Sequence, residues 1–187
     1  MIWKAMAIDG PGGSGKSTLA RQLAAELGAE IISMDSFLLP ADNYRLSAIA
    51  KNYDLDRFNQ EVVYSIVAGA PIRYKVFNGE TGKAETVVVP TDKPVIIDGI
   101  YSLEVRFREA YDLSIFVHAN RETLLHRGMK QGELGSWLDK WLVGEETYLD
   151  AQSPMSAATL ILDGALPLPT TAQVMEMVGL RLTQQAS

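Results

Sequence analysis

The stretch AIDGPGGSGKSTLA, residues 7–20, sets four glycines and a proline between an apolar run and a helix-forming one. Ordering such a stretch is unfavourable, because glycine loses more conformational freedom on folding than any other residue. Glycines held here therefore point to something that approaches the backbone where a side chain would block it. The spacing says what that is. Gly10, four residues, then Gly15, Lys16 and Ser17 fit G-x-x-x-x-G-K-[ST], the phosphate-cradling P-loop.

The flanks agree with that reading. An apolar run, IWKAMAID at 2–9, precedes the loop, and KSTLARQLAAEL at 16–27 follows with Leu19, Leu23, Ala24 and Leu27 at helical spacing. Gly28 is the expected C-cap. The N–H groups of Gly13 to Ser17 are expected to point into one concavity, reinforced by the positive end of the helix. Gly10, Gly12, Gly13, Ser14, Gly15, Lys16, Ser17 and Thr18 form the nucleotide-binding set, with ATP as the expected ligand. Lys16 would neutralise the β- and γ-phosphates and the Ser17 hydroxyl would hold Mg²⁺. A second metal ligand comes from KPVIIDGIY, a buried-type strand that ends at Asp98.

Working outward, apolar and amphipathic stretches alternate, which predicts a mostly parallel sheet covered by helices. Strands are predicted at 2–9, 29–33, 94–98, 112–118 and 157–162, and helices at 16–27, 57–69, 103–110, 120–131, 136–150 and 171–184. Several strands are continuous apolar runs, as expected when both faces are covered. IRYKVFNGETGKAETVVV at 72–89 breaks the pattern and reads as a hairpin with a longer-than-minimal turn. At 187 residues, one domain burying roughly 70% of its unfolded surface is expected. A net charge of −6 argues against nucleic acid as a partner. There is no cysteine, hence no disulfide frame, and no signal peptide or membrane span is read, so a cytoplasmic protein is expected.

A P-loop leaves the phosphate acceptor open. In IISMDSFLLP, Asp35 falls at the end of the second strand, on the sheet edge that carries the loop, where a carboxylate can take the proton of an attacking hydroxyl. KNYDLDRF adds Asp54 and Asp56 before a helix, each a candidate N-cap. Asp54 is alternatively a ligand for vicinal hydroxyls, since one carboxylate accepts two hydrogen bonds from a diol. A monophosphate acceptor would need clustered arginines, whereas Arg45, Arg57 and Arg73 are scattered. The chemistry points to phosphorylation of an alcohol. His118 and His126 lack metal-ligand spacing, and His126 reads as a surface residue. Trp137, Trp141 and Tyr148 share a helical stretch and read as core.

IDGPGGSGKSTLA, SMDSF, NYDLDRF, PIRYKVF, VIIDGIY, DLSIFVHA and RETLLHRGMK follow one another as in the uridine kinase-like family, which the chain resembles over about residues 3–165. The neighbouring groups are phosphoribulokinase, pantothenate kinase and nicotinamide riboside kinase. The resemblance implies a three-layer α/β/α P-loop fold, with a five-stranded parallel sheet and the hairpin beside the acceptor pocket. It implies Asp35 as catalytic base, Asp98 in the magnesium site, Asp54 on ribose hydroxyls and Tyr74 against a nucleobase. It also implies a lid over about 121–136, in which Arg127, supported by Lys130, covers the transferring phosphoryl group, and assembly into dimers or tetramers. The hairpin departs from the family, with Lys75 for its aspartate and no following histidine, and Gly128 replaces a lid arginine. The acceptor thus stays open between a nucleoside and another alcohol, such as pantothenate or a sugar. A nucleotide-binding regulator without efficient transfer is the rival of another class.

Overall fold

The computed structural model describes residues 3–39, 49–50, 52–78, 83–130 and 135–185; the side chains of 78, 129–130, 135–143 and 180–185 are not described. Five parallel strands, β1 (Ala5–Asp9), β2 (Glu30–Ser33), β5 (Val95–Asp98), β6 (Leu113–His118) and β7 (Leu160–Asp163), form one sheet in the order β2-β5-β1-β6-β7. Strands β3 (Ile72–Asn78) and β4 (Lys83–Val89) form the separate antiparallel hairpin. The turn expected between them falls on residues 79–82, outside those described.

Both faces of the sheet are buried, which explains the continuous apolar runs. Along β1 and β5 the side chains alternate: Ala5, Val95 and Ile97 enter one core, while Met6, Ile8 and Ile96 enter the other. The second core is closed by Leu19 and Leu23 of α1 (Lys16–Leu27) and Val174 and Val178 of α7 (Thr171–Gln185). The first takes Phe58 of α2 (Leu55–Phe58), Ile66 of α3 (Tyr64–Ala68), the hairpin base, and Tyr148 of α5 (Gly135–Gln152). Helix α4 spans Arg121–Lys130 and α6 spans Pro154–Ala157. This is the three-layer α/β/α arrangement.

The connection order fixes where chemistry can occur. From β1 the chain crosses to β2, returns to β5 beside β1, and then passes to β6 on the other side of β1. Crevices form where such a sheet reverses direction, at the carboxyl ends of its strands. Ser33, Asp98 and Ile8 share one register row, so the segments after β1, β2 and β5 emerge together.

Boundaries shift where side chains take backbone partners. Strand β1 begins at Ala5, because the Lys4 and Ala5 N–H groups donate to Asp112 Oδ2 at 2.6 and 2.9 Å. The helix expected over 103–110 is corrected to turns with a short 3₁₀ segment at Arg108–Ala110. Its N–H groups are diverted: Leu103 donates to Asp9, Val105 to Gln152 and Arg106 to Glu104. The helix expected over 57–69 starts two residues earlier and carries a π-helical stretch at Asn59–Val63.

Two glycines separate local from tertiary demands. Gly28 caps α1 in the left-handed region with open space around it, so Gly28→Ala should lower stability by about 1 kcal/mol from backbone strain alone. A Cβ on Gly164 would stand 1.9 Å from the Ser14 carbonyl oxygen. Gly164→Ala should therefore destabilise by about 3 kcal/mol, since backbone cannot yield as a flexible side chain would. Urea unfolding of both variants tests the ranking.

Candidate active site

The loop after β1 is held from below by its own strand. Asp9 is fully buried; its Oδ1 accepts the Gly10 N–H at 2.6 Å, and its Oδ2 accepts the Leu103 N–H at 2.8 Å and the Tyr148 hydroxyl at 2.7 Å. Gly10 has φ +148°, and a Cβ there would lie 2.1 Å from the Val117 carbonyl oxygen. Gly13 and Gly15 take φ +80° and +102°, so the turns themselves require glycine. The Thr18 and Leu19 N–H groups join α1 through the Gly15 carbonyl. Of the amides expected to face one concavity, that of Ser14 instead closes a turn on the Pro11 carbonyl at 3.1 Å. Lys16 Nζ donates to the same carbonyl at 3.2 Å.

Beside the loop lies a cleft of about 510 Å³, lined by Gly13, Lys16, Ser17, Thr18, Arg127 and Gly164, with Leu166 and Leu168 adding apolar wall. Arg127 sits within it. Its Nη1 donates to the carbonyls of Gly13 at 2.9 Å and Ser14 at 3.3 Å, and its Nη2 to that of Gly164 at 2.7 Å. The expected shield of the transferring group is, in this conformation, a brace between the phosphate loop and the segment after β7. The side chains of Lys130, Trp137 and Trp141, and all of Arg45 and residues 131–134, lie outside the described residues. His126 is exposed and Tyr148 is core, as read from the sequence.

Asp98 ends β5 almost wholly buried, and its Oδ1 has no hydrogen-bond partner. Burial raises its pKa, against the pull of the Ser17 side chain and Lys16, and the nearby Asp35 charge raises it further. An orphaned carboxylate oxygen beside the Ser17 hydroxyl, with a second carboxylate in range, suits a hard divalent cation. Among the described residues no group of three or more His, Asp or Glu could hold a metal. The protein supplies only part of a coordination shell, as expected for Mg²⁺ that keeps waters and substrate phosphates.

Asp35 lies in a 3₁₀ turn, Met34–Phe37, directly after β2. Its Oδ1 accepts the Tyr53 hydroxyl at 3.1 Å, and burial and the Asp35 charge push the Tyr53 phenol well above its usual range. Tyr53 therefore remains a donor throughout ordinary pH. Its ring also lines a second pocket of about 430 Å³ with Asp54, Asp56 and Arg106. The capping question is answered by Asp54, whose Oδ1 accepts the Arg57 N–H at 3.0 Å; Asp56 is not the cap. Asp56 pairs with Arg106 at 2.8 Å, and Arg106 also meets Glu104 at 2.9 Å. Arg57 clasps the Asp35 turn to the hairpin, through the Ser36 carbonyl at 2.6 Å and the Lys75 carbonyl at 3.0 Å.

Tyr74, expected against a nucleobase, is 6% exposed in the core, its ring 5.9 Å from that of Phe37 in the Asp35 turn. After burial, the largest influence raising its phenol pKa is Glu30, which begins β2 at the sheet edge opposite the loop. On an inward hairpin position flanked by outward Arg73 and Lys75, an aromatic ring packs on the core. Glu145 and Asp9 were missed as site residues. The signal for Asp9 was one acid in a strand otherwise apolar around it.

Burial raises the Asp9 pKa from 3.8 to about 6, outweighing the donors from Leu103, Tyr148 and Gly10 and the Lys16 charge. The folded carboxyl thus binds its proton more tightly than the unfolded one. Its contribution to stability is complete below the unfolded pKa and is lost as pH rises through about 6. Relative to Asp9→Asn, wild-type stability should fall by up to roughly 3 kcal/mol across that window, read by urea unfolding at stepped pH.

The family model for cytidylate kinase matches residues 6–88. Cytidylate kinase from Pseudomonas putida (strain W619) is 37% identical over 83 residues, covering 44% of this chain and 33% of that protein. The tRNA dimethylallyltransferase of Acholeplasma laidlawii is 33% identical over 96 residues, covering 51% of this chain and 33% of that protein. The chain thus spans about a third of the length of these curated relatives, and the family-model match falls on the phosphate-loop half. Among solved structures, a possible uridine kinase from Bacillus stearothermophilus superposes with TM-score 0.65 at 17% identity, covering 85% of this chain and 88% of that one. A gluconokinase from Sinorhizobium meliloti gives TM-score 0.54 at 18% identity, covering 97% and 93%. The fold is that of the P-loop kinases.

Proposed function

We propose that the protein is an ATP-dependent phosphotransferase that moves the γ-phosphate to a hydroxyl of a small, uncharged molecule, most simply a nucleoside. The observation that carries this reading is the pair of carboxylates flanking the phosphate loop: Asp98 with its orphaned oxygen beside Ser17, and Asp35 held by Tyr53. Lys16 and the loop amides would hold the phosphates, and Ser17 and Asp98 would hold Mg²⁺. When bound, the metal supplies charge neutralisation on the β- and γ-phosphate oxygens. Asp35 would take the acceptor proton as the hydroxyl oxygen bonds to the γ-phosphorus and the bond to the β-phosphate oxygen breaks, leaving ADP. Asp54 would orient the acceptor with its second oxygen, which lies 3.8 Å from Arg57 Nε.

Charge favours an uncharged acceptor over a nucleoside monophosphate, although cytidylate kinase is the matching family model. The arginine described at the second pocket, Arg106, is already engaged by Asp56 and Glu104. A phosphate-bearing acceptor would need unengaged guanidinium groups there. Under this proposal the chain works as one domain, with the hairpin beside the acceptor pocket and the region around 121–136 as lid.

Coupled-assay ADP release with MgATP over uridine, cytidine, CMP, other nucleosides, pantothenate and simple sugars tests the reading. One uncharged alcohol should stimulate release, and Asp35→Asn should lower kcat by at least ~10²-fold with little change in MgATP affinity. Stimulation by CMP alone would sink the uncharged-acceptor reading. Tight MgATP binding with no acceptor-dependent release would favour a nucleotide-binding regulator.

A further inference from the structure

Glu145 is 1% exposed on α5, yet it carries a carboxylate into the wall of the phosphate loop. Its Oε1 and Oε2 accept the Gly12 N–H at 3.2 and 3.0 Å. Tyr148, three residues on and therefore on the same helix face, donates to Asp9. One face of α5 thus holds the loop at two points, Gly12 directly and Gly10 through Asp9. From the same helix face the Tyr148 ring meets Tyr101 edge to face at 4.8 Å, and Tyr101 meets Tyr53 at 5.2 Å. Tyr53 is the donor that fixes Asp35. The face of α5 that carries Glu145 is thus packed, through a row of rings, against the Tyr53–Asp35 side of the site.

Its placement on the loop is selective. Gly12 lies at the edge of the loop, just before the Gly13–Ser17 run whose amides are expected to face phosphate, so Glu145 takes the donor next to that run. A charge-assisted hydrogen bond of this kind is about twice as strong as a neutral one.

We propose that Glu145 is a positioning residue for phosphoryl transfer, fixing the Gly12 end of the phosphate loop relative to the Tyr53–Asp35 pair. This rests on the kinase reading above. The role is orientation of the donor phosphate toward the base, so it acts on turnover rather than on ground-state binding. A misplacement of about 1 Å in such a frame can lower rate ~10²-fold.

The test uses E145A, E145Q and, as control, E146Q, whose neighbouring carboxylate only forms an exposed pair with Arg121 at 2.9 Å. With the acceptor found in the ADP-release panel, E145A should lose about 10²-fold in kcat, with acceptor KM and calorimetric MgATP Kd within about threefold of wild type. E145Q, which keeps an oxygen acceptor for Gly12, should recover about tenfold of that loss, and E146Q should match wild type. Amide hydrogen exchange at Gly12 in nucleotide-free protein should accelerate in E145A. If E145A does not fold, the shape-preserving E145Q carries the test by an intermediate kcat. The proposal is overturned if kcat stays within about twofold in the folded variants, or if E145A binds MgATP about tenfold more tightly, which would make Glu145 a competitor of phosphate. A wild-type protein that binds MgATP but turns over no acceptor refutes the kinase reading instead. The transfer role falls with it, and Gly12 exchange then reports the contact alone.

Discussion

The buried carboxylate at the end of β1 is the constraint on which the site depends. Asp9 takes one hydrogen bond from the first glycine of the loop, one from the turn after β5 and one from α5. Without it, three segments far apart in sequence would each leave a donor without a partner beneath the sheet edge. Ionising it in the interior is unfavourable, which the raised pKa records. The surrounding donors offset part of that, as expected when a buried charge is fully hydrogen-bonded. The same carboxylate also explains why residues 101–107 run as turns: the Leu103 N–H is drawn to Asp9 rather than into a helix.

Around this anchor, carboxylates gather at the edge of the sheet that carries the loop. Asp35 and Asp98 share the edge, and Glu145 stands behind the loop. Of the arginines described nearby, Arg57 is committed to the Asp35 turn and hairpin, Arg106 to two carboxylates and Arg127 to three backbone carbonyls, while Arg21, on the cleft wall, is exposed and donates to the Thr18 hydroxyl at 3.4 Å. Lys16 rests on a neutral carbonyl of its own loop, a contact that a phosphate oxygen readily replaces. Such a site is organised before any ligand arrives, with its acids in place and its lysine waiting.

Much of this was legible in the sequence, and the reasons are specific. The loop glycines and the five strands could be read because their demands are local: backbone conformation at Gly13 and Gly15, and two-faced burial along β1 and β5. Asp35 and Asp98 could be read because strand ends in such sheets gather at one edge. The burial of Tyr74 was not legible, because the resemblance that set it against a nucleobase does not say how this hairpin packs on the core. Arg127 lies in the cleft, but its carbonyl partners come from two segments distant in sequence and could not be read. Glu145 was invisible because one of two adjacent glutamates in a helix looks like any solvated position until the loop beneath it is seen.

The aromatic packing has a consequence of its own. Tyr53, Tyr101 and Tyr148 meet edge to face, with ring centroids 5.2 and 4.8 Å apart, and their row ends on Asp35 at one side and Asp9 at the other. Rings fixed this closely at steep angles couple their electronic transitions, so the row imprints a handed optical signal in the near ultraviolet. The protein therefore carries an intrinsic chromophore strung between the glycine-rich loop and the Asp35 turn, and light absorbed there reports on both ends without any label.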